Sequence, residues 1–153
     1  MSRGAGRFGQ VTVISHEALI ASAQSVLNPR RINGYRPGSR GWQLGQVAAS
    51  LVTDSGNLYS GVCIDTGSGT GFCAEHAAIA AMVTAREFRI AKIVAVWRSD
   101  EGVLHVLPPC GRCREFIRQI DPANLDTEVV LGRSVSAPLR ELLPHHEWPD
   151  PLD

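Results

Sequence analysis

Two short stretches hold three of the four cysteines of this 153-residue chain: Cys73-Ala74-Glu75-His76, and Pro109-Cys110-Gly111-Arg112-Cys113-Arg114. Thiolates bind zinc well, and a C-x-x-C pair such as Cys110 and Cys113 supplies two ligands from one turn. Cys73 supplies a third. The remaining cysteine, Cys63, stands alone in a strand-like segment, so no fourth thiol sits at partner spacing. A structural zinc site normally closes with a fourth protein ligand, whereas a catalytic one leaves that position to water or substrate. The count therefore points to an open site.

Glu75 lies too close in sequence to Cys73 to share ligation comfortably, but well placed to meet a water on the metal. Zinc lowers the pKa of such a water, and a nearby carboxylate can take that proton and later deliver it to substrate and leaving group. Three thiolates over-neutralise a divalent cation, so compensating groups are expected around them. Arg112, Arg114 and His76 are the local candidates. Taken alone, C-x-x-C also suits a redox pair, and Cys73 suits an ordinary buried thiol.

These residues must be carried by helix starts, where free N–H groups and the macrodipole favour negative charge. The pattern predicts a helix over Cys73–Phe88, alanine-rich and apolar on most sides, and another over Gly111–Ile120 behind Pro108 and Pro109. An earlier helix is expected over Ser15–Leu27, with Ser15 as its cap. Strands are expected at Gly45–Thr53 and Leu58–Ile64, joined by the turn-forming Asp54-Ser55-Gly56-Asn57, and at Ile90–Trp97 and Glu128–Leu131. A last helical stretch, Ala137–Leu143, ends at Pro144. The order α-β-β-α-β-α-β-α predicts a mixed sheet with helices packed on it.

The length fits one domain, read as residues 11–153 behind a loose tail, residues 1–10. Hydrophobic content of 44% and charged content of 20% exclude wholesale disorder. Fifteen basic and fifteen acidic residues balance, which gives no support to broad binding of nucleic acid or acidic membranes. No apolar run resembles a secretory signal or a membrane span. A cytoplasmic setting is expected, where clustered cysteines serve as ligands or catalytic thiols rather than a disulfide framework.

The order Cys73-x-Glu75 followed by Pro109-Cys110-x-x-Cys113 resembles the cytidine deaminase superfamily, whose zinc signature is [HC]-x-E with P-C-x-x-C. The three-cysteine form is similar to its small branch acting on free nucleosides, which includes cytidine deaminase and blasticidin S deaminase. The stretch Val47–Gly61 is similar to that branch's first hairpin, and Leu139–Pro144 with Trp148 looks more like blasticidin S deaminase. The resemblance covers about Gln46–Trp148 and implies a three-layer α/β fold, a mixed central sheet with helices on both faces.

It further implies one zinc per subunit on Cys73, Cys110 and Cys113, and a homo-oligomer, with a tetramer favoured. The implied reaction is hydrolytic deamination of an aminopyrimidine at carbon 4, Glu75 passing protons to ring nitrogen 3 and then to the amino group. Asp65, Cys63 and Ala74 would line the substrate. Where cytidine deaminases carry G-x-N-x-E to grip a ribose, this chain has Gly61-Val62-Cys63-Ile64-Asp65, and Gly45 stands where a pyrimidine-packing phenylalanine is common. The substrate is therefore expected to be cytidine, blasticidin S or another aminated heterocycle of the nucleoside or nucleobase kind. A structural zinc module without catalysis is the alternative, and it requires a closed four-ligand site. Gly67, Gly69 and Gly71 lack the dinucleotide-binding spacing and read as a flexible pocket loop. Arg30, Arg31, Arg36 and Arg40 read as a solvated face, or as contacts to a substrate phosphate or carboxylate.

Overall fold

The computed structural model describes residues 14–33 and 41–152. The expected tail at residues 1–10, and Arg36 and Arg40, lie outside them.

The first helix, α1 (His16–Ser25), starts as its sequence directs: Ser15 Oγ accepts from the Ala18 N–H at 3.1 Å. A short β1 (Arg30–Ile32) is followed by the long β2 (Trp42–Thr53) and by β3 (Leu58–Asp65), joined through Gly56 at φ +85°, a conformation glycine adopts without penalty. Then come α2 (Ala74–Thr84), β4 (Ile90–Arg98), β5 (Leu104–Leu107) and α3 (Gly111–Ile120). After a 3₁₀ turn at Pro122–Asp126 the chain ends in β6 (Glu128–Val130), β7 (Ser136–Pro138) and α4 (Leu139–Leu142).

The seven strands form one sheet. β3 runs along one side of β2; the other side is shared, β1 pairing its first residues and β4 the rest. β4 in turn is flanked by β5 at one end and β6 at the other. Only β4 and β6 are parallel among these described pairs, as a crossover through α3 requires.

Two apolar clusters lie on opposite faces of this sheet. On one, Leu19, Ile20 and Ala23 of α1 pack on Ala48, Val94, Val96 and Val130. On the other, Ala74, Ala78, Ile79 and Met82 of α2, with Ile117 of α3, cover Ala49, Leu51, Ile93 and Ala95. Alternate residues of β2 and β4 thus face alternate layers, the period-two rule of a sheet buried on both faces. The fold is the expected three-layer α/β sandwich.

The element list needs correction at four places. β1, which holds Arg30 and Arg31 of the arginines read as a solvated face or anion contacts, was not expected as a strand, and neither was β5. The helix expected over Ala137–Leu143 is a strand followed by a single turn, because Ser136, Ala137 and Pro138 pair with β6 as an edge where proline's missing N–H is tolerated. The helix expected to reach Phe88 stops at Thr84, and Arg86 takes φ +64° as the chain turns away.

Gly61 sets how closely α2 approaches the sheet. A Cβ there would lie 2.5 Å from Ala77 Cβ and 2.5 Å from the Ala78 nitrogen. Only glycine permits this contact, which brings the start of α2 down beside β3.

Candidate active site and metal centre

Cys73 and Cys110 are the N-cap residues of α2 and α3, and Cys113 lies in the first turn of α3. The fold places both helix starts together. Cys73 Sγ is 3.7 Å from Cys110 Sγ, which is 3.5 Å from Cys113 Sγ, and all three sulfurs lie within 4.8 Å of one another. Zinc–sulfur bonds of about 2.3 Å in a tetrahedron separate sulfurs by about 3.8 Å. The donor set therefore fits one zinc ion, and among the described residues this group has three ligands.

Neither N-cap cysteine makes a side-chain capping bond, so both sulfurs remain free for metal. Burial pushes the Cys110 thiol up, but hydrogen bonds from the Cys113 backbone and from the two neighbouring thiols outweigh it and leave Cys110 below its ordinary value. Burial raises Cys73 and, more strongly, Cys113, which is fully enclosed and feels the Glu75 charge. A divalent cation reverses this balance for Cys73 and Cys113 and adds to it for Cys110.

Glu75, 5% exposed, belongs to the first turn of α2. Burial holds its carboxyl above the usual carboxylate range, opposed by hydrogen bonds from its own backbone and from Cys113. It shares a cavity of about 170 Å³ with Cys73, Cys110, Cys63, Ala74 and Leu107. A larger cavity of about 370 Å³ adjoins this one through Val47, Cys63 and Cys73, and reaches Asp65, Phe72 and Arg112.

The structure brings the sequence-selected residues together unequally. Cys63 lines both cavities, its Sγ accepting the Val47 N–H at 3.3 Å. Asp65 lines the larger and Ala74 the smaller. Arg112 is exposed at the rim of the larger cavity. Arg114 is tied elsewhere, donating to the Pro109 and Leu142 carbonyls at 2.8 Å each, so it braces the turn before Cys110. His76 places Nδ1 3.6 Å from Cys113 Sγ and stacks on Phe116 with centroids 4.2 Å apart; burial, then Arg112, holds its pKa below the ordinary value.

Gly45, at φ +68°, lies in the β2 irregularity, and a Cβ there would meet the Asn28 carbonyl oxygen at 2.3 Å. No larger residue fits that backbone. Sequence reasoning did not select Val47, Phe72 or Leu107, apolar wall residues contributed by three separate segments.

Comparison with known proteins follows the same lines. The chain is 34% identical to the blasticidin-S deaminase of Bacillus cereus over 103 residues, which covers 64% of this chain and 74% of that protein. It is 33% identical to the cytidine deaminase of Halalkalibacterium halodurans over 88 residues, 57% of this chain and 62% of that one. The crystal structure of cytidine deaminase from Burkholderia pseudomallei superposes with TM-score 0.63 at 27% identity, covering 86% of this chain and 98% of that chain. The cytidine deaminase structure from Mycobacterium leprae shares the fold with TM-score 0.63 at 24% identity, covering 86% and 99%. Residues 40–128 match the cytidine and deoxycytidylate deaminase zinc-binding region, a span that holds every cysteine of the cluster and Glu75, and the chain is a member of that zinc-dependent deaminase family.

Proposed function

We propose that the protein hydrolyses the exocyclic C–N bond of an aminated heterocycle of the nucleoside or nucleobase kind, with Glu75 as its proton carrier. The observation that supports this most directly is the buried Glu75 carboxyl in the same small cavity as Cys73 and Cys110.

Zinc, when bound by Cys73, Cys110 and Cys113, supplies the activation of water as nucleophile. Glu75 accepts the proton that the water gives up and passes it to ring nitrogen 3 as the C–O bond forms at carbon 4. It then moves the second proton to the amino group, the C–N bond breaks, and ammonia leaves a ring carbonyl behind. A carboxyl held above its usual range by burial suits both halves of that exchange.

Val47, Cys63, Ala74 and Leu107 enclose the ring and exclude water. Asp65 accepts a hydroxyl of the substrate's sugar. His76 and Arg112 offset the charge of three thiolates. A homotetramer and a reducing, cytoplasmic setting complete the proposal, the latter because free thiols persist there. No helix among the described residues is long and apolar enough to cross a membrane.

Ammonia release by zinc-loaded protein, measured on cytidine, deoxycytidine, blasticidin S, cytosine and guanine, tests the reading, with Glu75→Gln as control. Turnover of one compound, lost by several orders of magnitude in the variant, is expected. Near-normal turnover by Glu75→Gln removes the mechanism. Zinc at one per chain without turnover, together with a fourth protein ligand, replaces the reading by a structural zinc module.

A further inference from the structure

Hydrolysis at a ring carbon needs only the two cavities beside the cysteines, yet the space continues past them. A third cavity, of about 480 Å³, adjoins the second through Asp65 and Thr66 and is lined further by Arg31, Gly41, Trp42, Gln43 and Gly67. Its wall is a single row of the sheet: Arg31 of β1 pairs with Gln43 of β2, and Gln43 pairs with Asp65 of β3.

Residues directly opposite one another on neighbouring strands project their side chains from the same face. Arg31, Gln43 and Asp65 therefore stand side by side, the cation and the carboxylate separated by the width of one strand on each side of the amide. At roughly 4.5–5.5 Å per pairing, their Cα atoms lie about 10 Å apart. They form no ion pair with each other, and among the described residues neither side chain has another partner. Gly67, from the loop after β3, closes against Trp42 at the rim: a Cβ there would come within 2.5 Å of the indole.

We infer that this outer compartment binds an anionic group, a phosphate or a carboxylate, carried by the substrate beyond its sugar hydroxyls. The inference rests on the deaminase reading of the inner cavities. A guanidinium presents a fork of donors that matches either anion, while Asp65 accepts a hydroxyl and Gln43 serves as donor or acceptor between them. The opposite charges at the two ends also set direction. An anion placed at Asp65 would be repelled, so the hydroxyl end must lie towards the cysteines and the anion away from them. An arginine serving only as a solvated edge residue would leave binding indifferent to such a group.

Equilibrium binding to the zinc-loaded, full-length Glu75→Gln protein separates these cases without turnover, using cytidine, cytidine 5′-phosphate and cytidine 5′-carboxylate as probes. One of the anionic probes is expected to bind about tenfold more tightly than cytidine at low salt, the margin shrinking as ionic strength rises. Which one does so tells phosphate from carboxylate. Adding Arg31→Ala should remove the preference while leaving cytidine affinity and zinc content unchanged, and Arg31→Lys should restore part of it. Equal binding of all three probes, failure of all three to bind, or a preference that survives Arg31→Ala overturns the inference. Ammonia release by the unaltered enzyme, run alongside, reports on the deaminase reading separately: turnover of cytidine without any anion preference leaves that reading standing and removes only this one.

Discussion

The imidazole Nδ1 of His76, on α2, lies 3.6 Å from the Sγ of Cys113, on α3. The contact bridges the two helices that carry the metal cluster, and the Phe116 ring fixes the orientation of the imidazole by stacking on it. A ring N–H directed at a ligating thiolate draws off part of its charge, which is how groups around a metal tune the ligands themselves.

Replacing His76 with alanine should therefore weaken zinc binding by about 10–100-fold, the usual effect of removing such a partner. His76→Gln, which keeps a donor, should lie closer to the parent. Competition with a chromogenic chelator measures both, independently of substrate. Equal zinc affinity in the parent and in His76→Ala would reduce the residue to packing.

Cys110 is the most exposed of the three cysteines, whereas Cys113 is fully enclosed. Cys110→Ser should lose zinc and lower the thermal midpoint, since metal binding and folding are linked. Because the site of substitution is open to solvent, the apo forms of parent and variant should melt at nearly the same temperature. A variant that keeps stoichiometric zinc and full activity contradicts the ligand assignment.

Gly61→Ala should separate α2 from β3. The added methyl meets helix backbone as well as the Ala77 side chain, so no rotamer change relieves it. A cost of about 1–3 kcal/mol is expected. At about 2–4 °C per kcal/mol for a chain of this size, differential scanning calorimetry resolves it. An unchanged midpoint would mean that the helix moves freely at this point.

Glu128 joins three elements: its carboxylate receives His16 at 2.6 Å, Ser136 at 2.8 Å and the buried Lys92 at 3.1 Å. Burial pushes its pKa up, but these hydrogen bonds and the Lys92 charge outweigh it, and the carboxyl sits below its usual range. Its contribution is then complete above the unfolded value of about 4.3 and disappears as pH falls through the lower folded value. Glu128→Gln should cost about 1–2 kcal/mol near neutrality, less than a fully enclosed pair because Glu128 is 37% exposed. Thermal melts across pH should show the parent's advantage over Glu128→Gln shrinking below about pH 4; an advantage that persists in acid would show the effect to be packing.

The helices that present chemistry were legible because their signals are local. Two prolines and a C-x-x-C announce α3, whose bounds Gly111–Ile120 match the expectation, and Ser15 announces α1. What escaped was built by pairing between distant segments. Arg30-Arg31-Ile32 holds one strand former and is too short to show a period; β1 exists because β2 continues past β4 and offers an open edge there. β5 is four residues behind a tight turn closed by the Ser99 N–H on the Val103 carbonyl, too short to show a period. The same reasoning separates the two parts of the pocket. Cys73, Glu75, Cys110 and Cys113 carry their own signature, whereas the row of Arg31, Gln43 and Asp65 follows from strand register alone.

Between Ile64 and Phe72 two backbone hydrogen bonds, 2.8 and 3.0 Å, pinch the chain into a lariat over residues 65–71, and Gly71 fits under the Ile64 carbonyl where a Cβ would come within 2.4 Å. The lariat walls the outer compartment, yet its neck closes one residue before Cys73. Gly67 and Gly71 are held by what a Cβ there would meet, but the open positions between them can change without moving the metal. Diversification of what the enzyme accepts is mechanically insulated from the chemistry it performs.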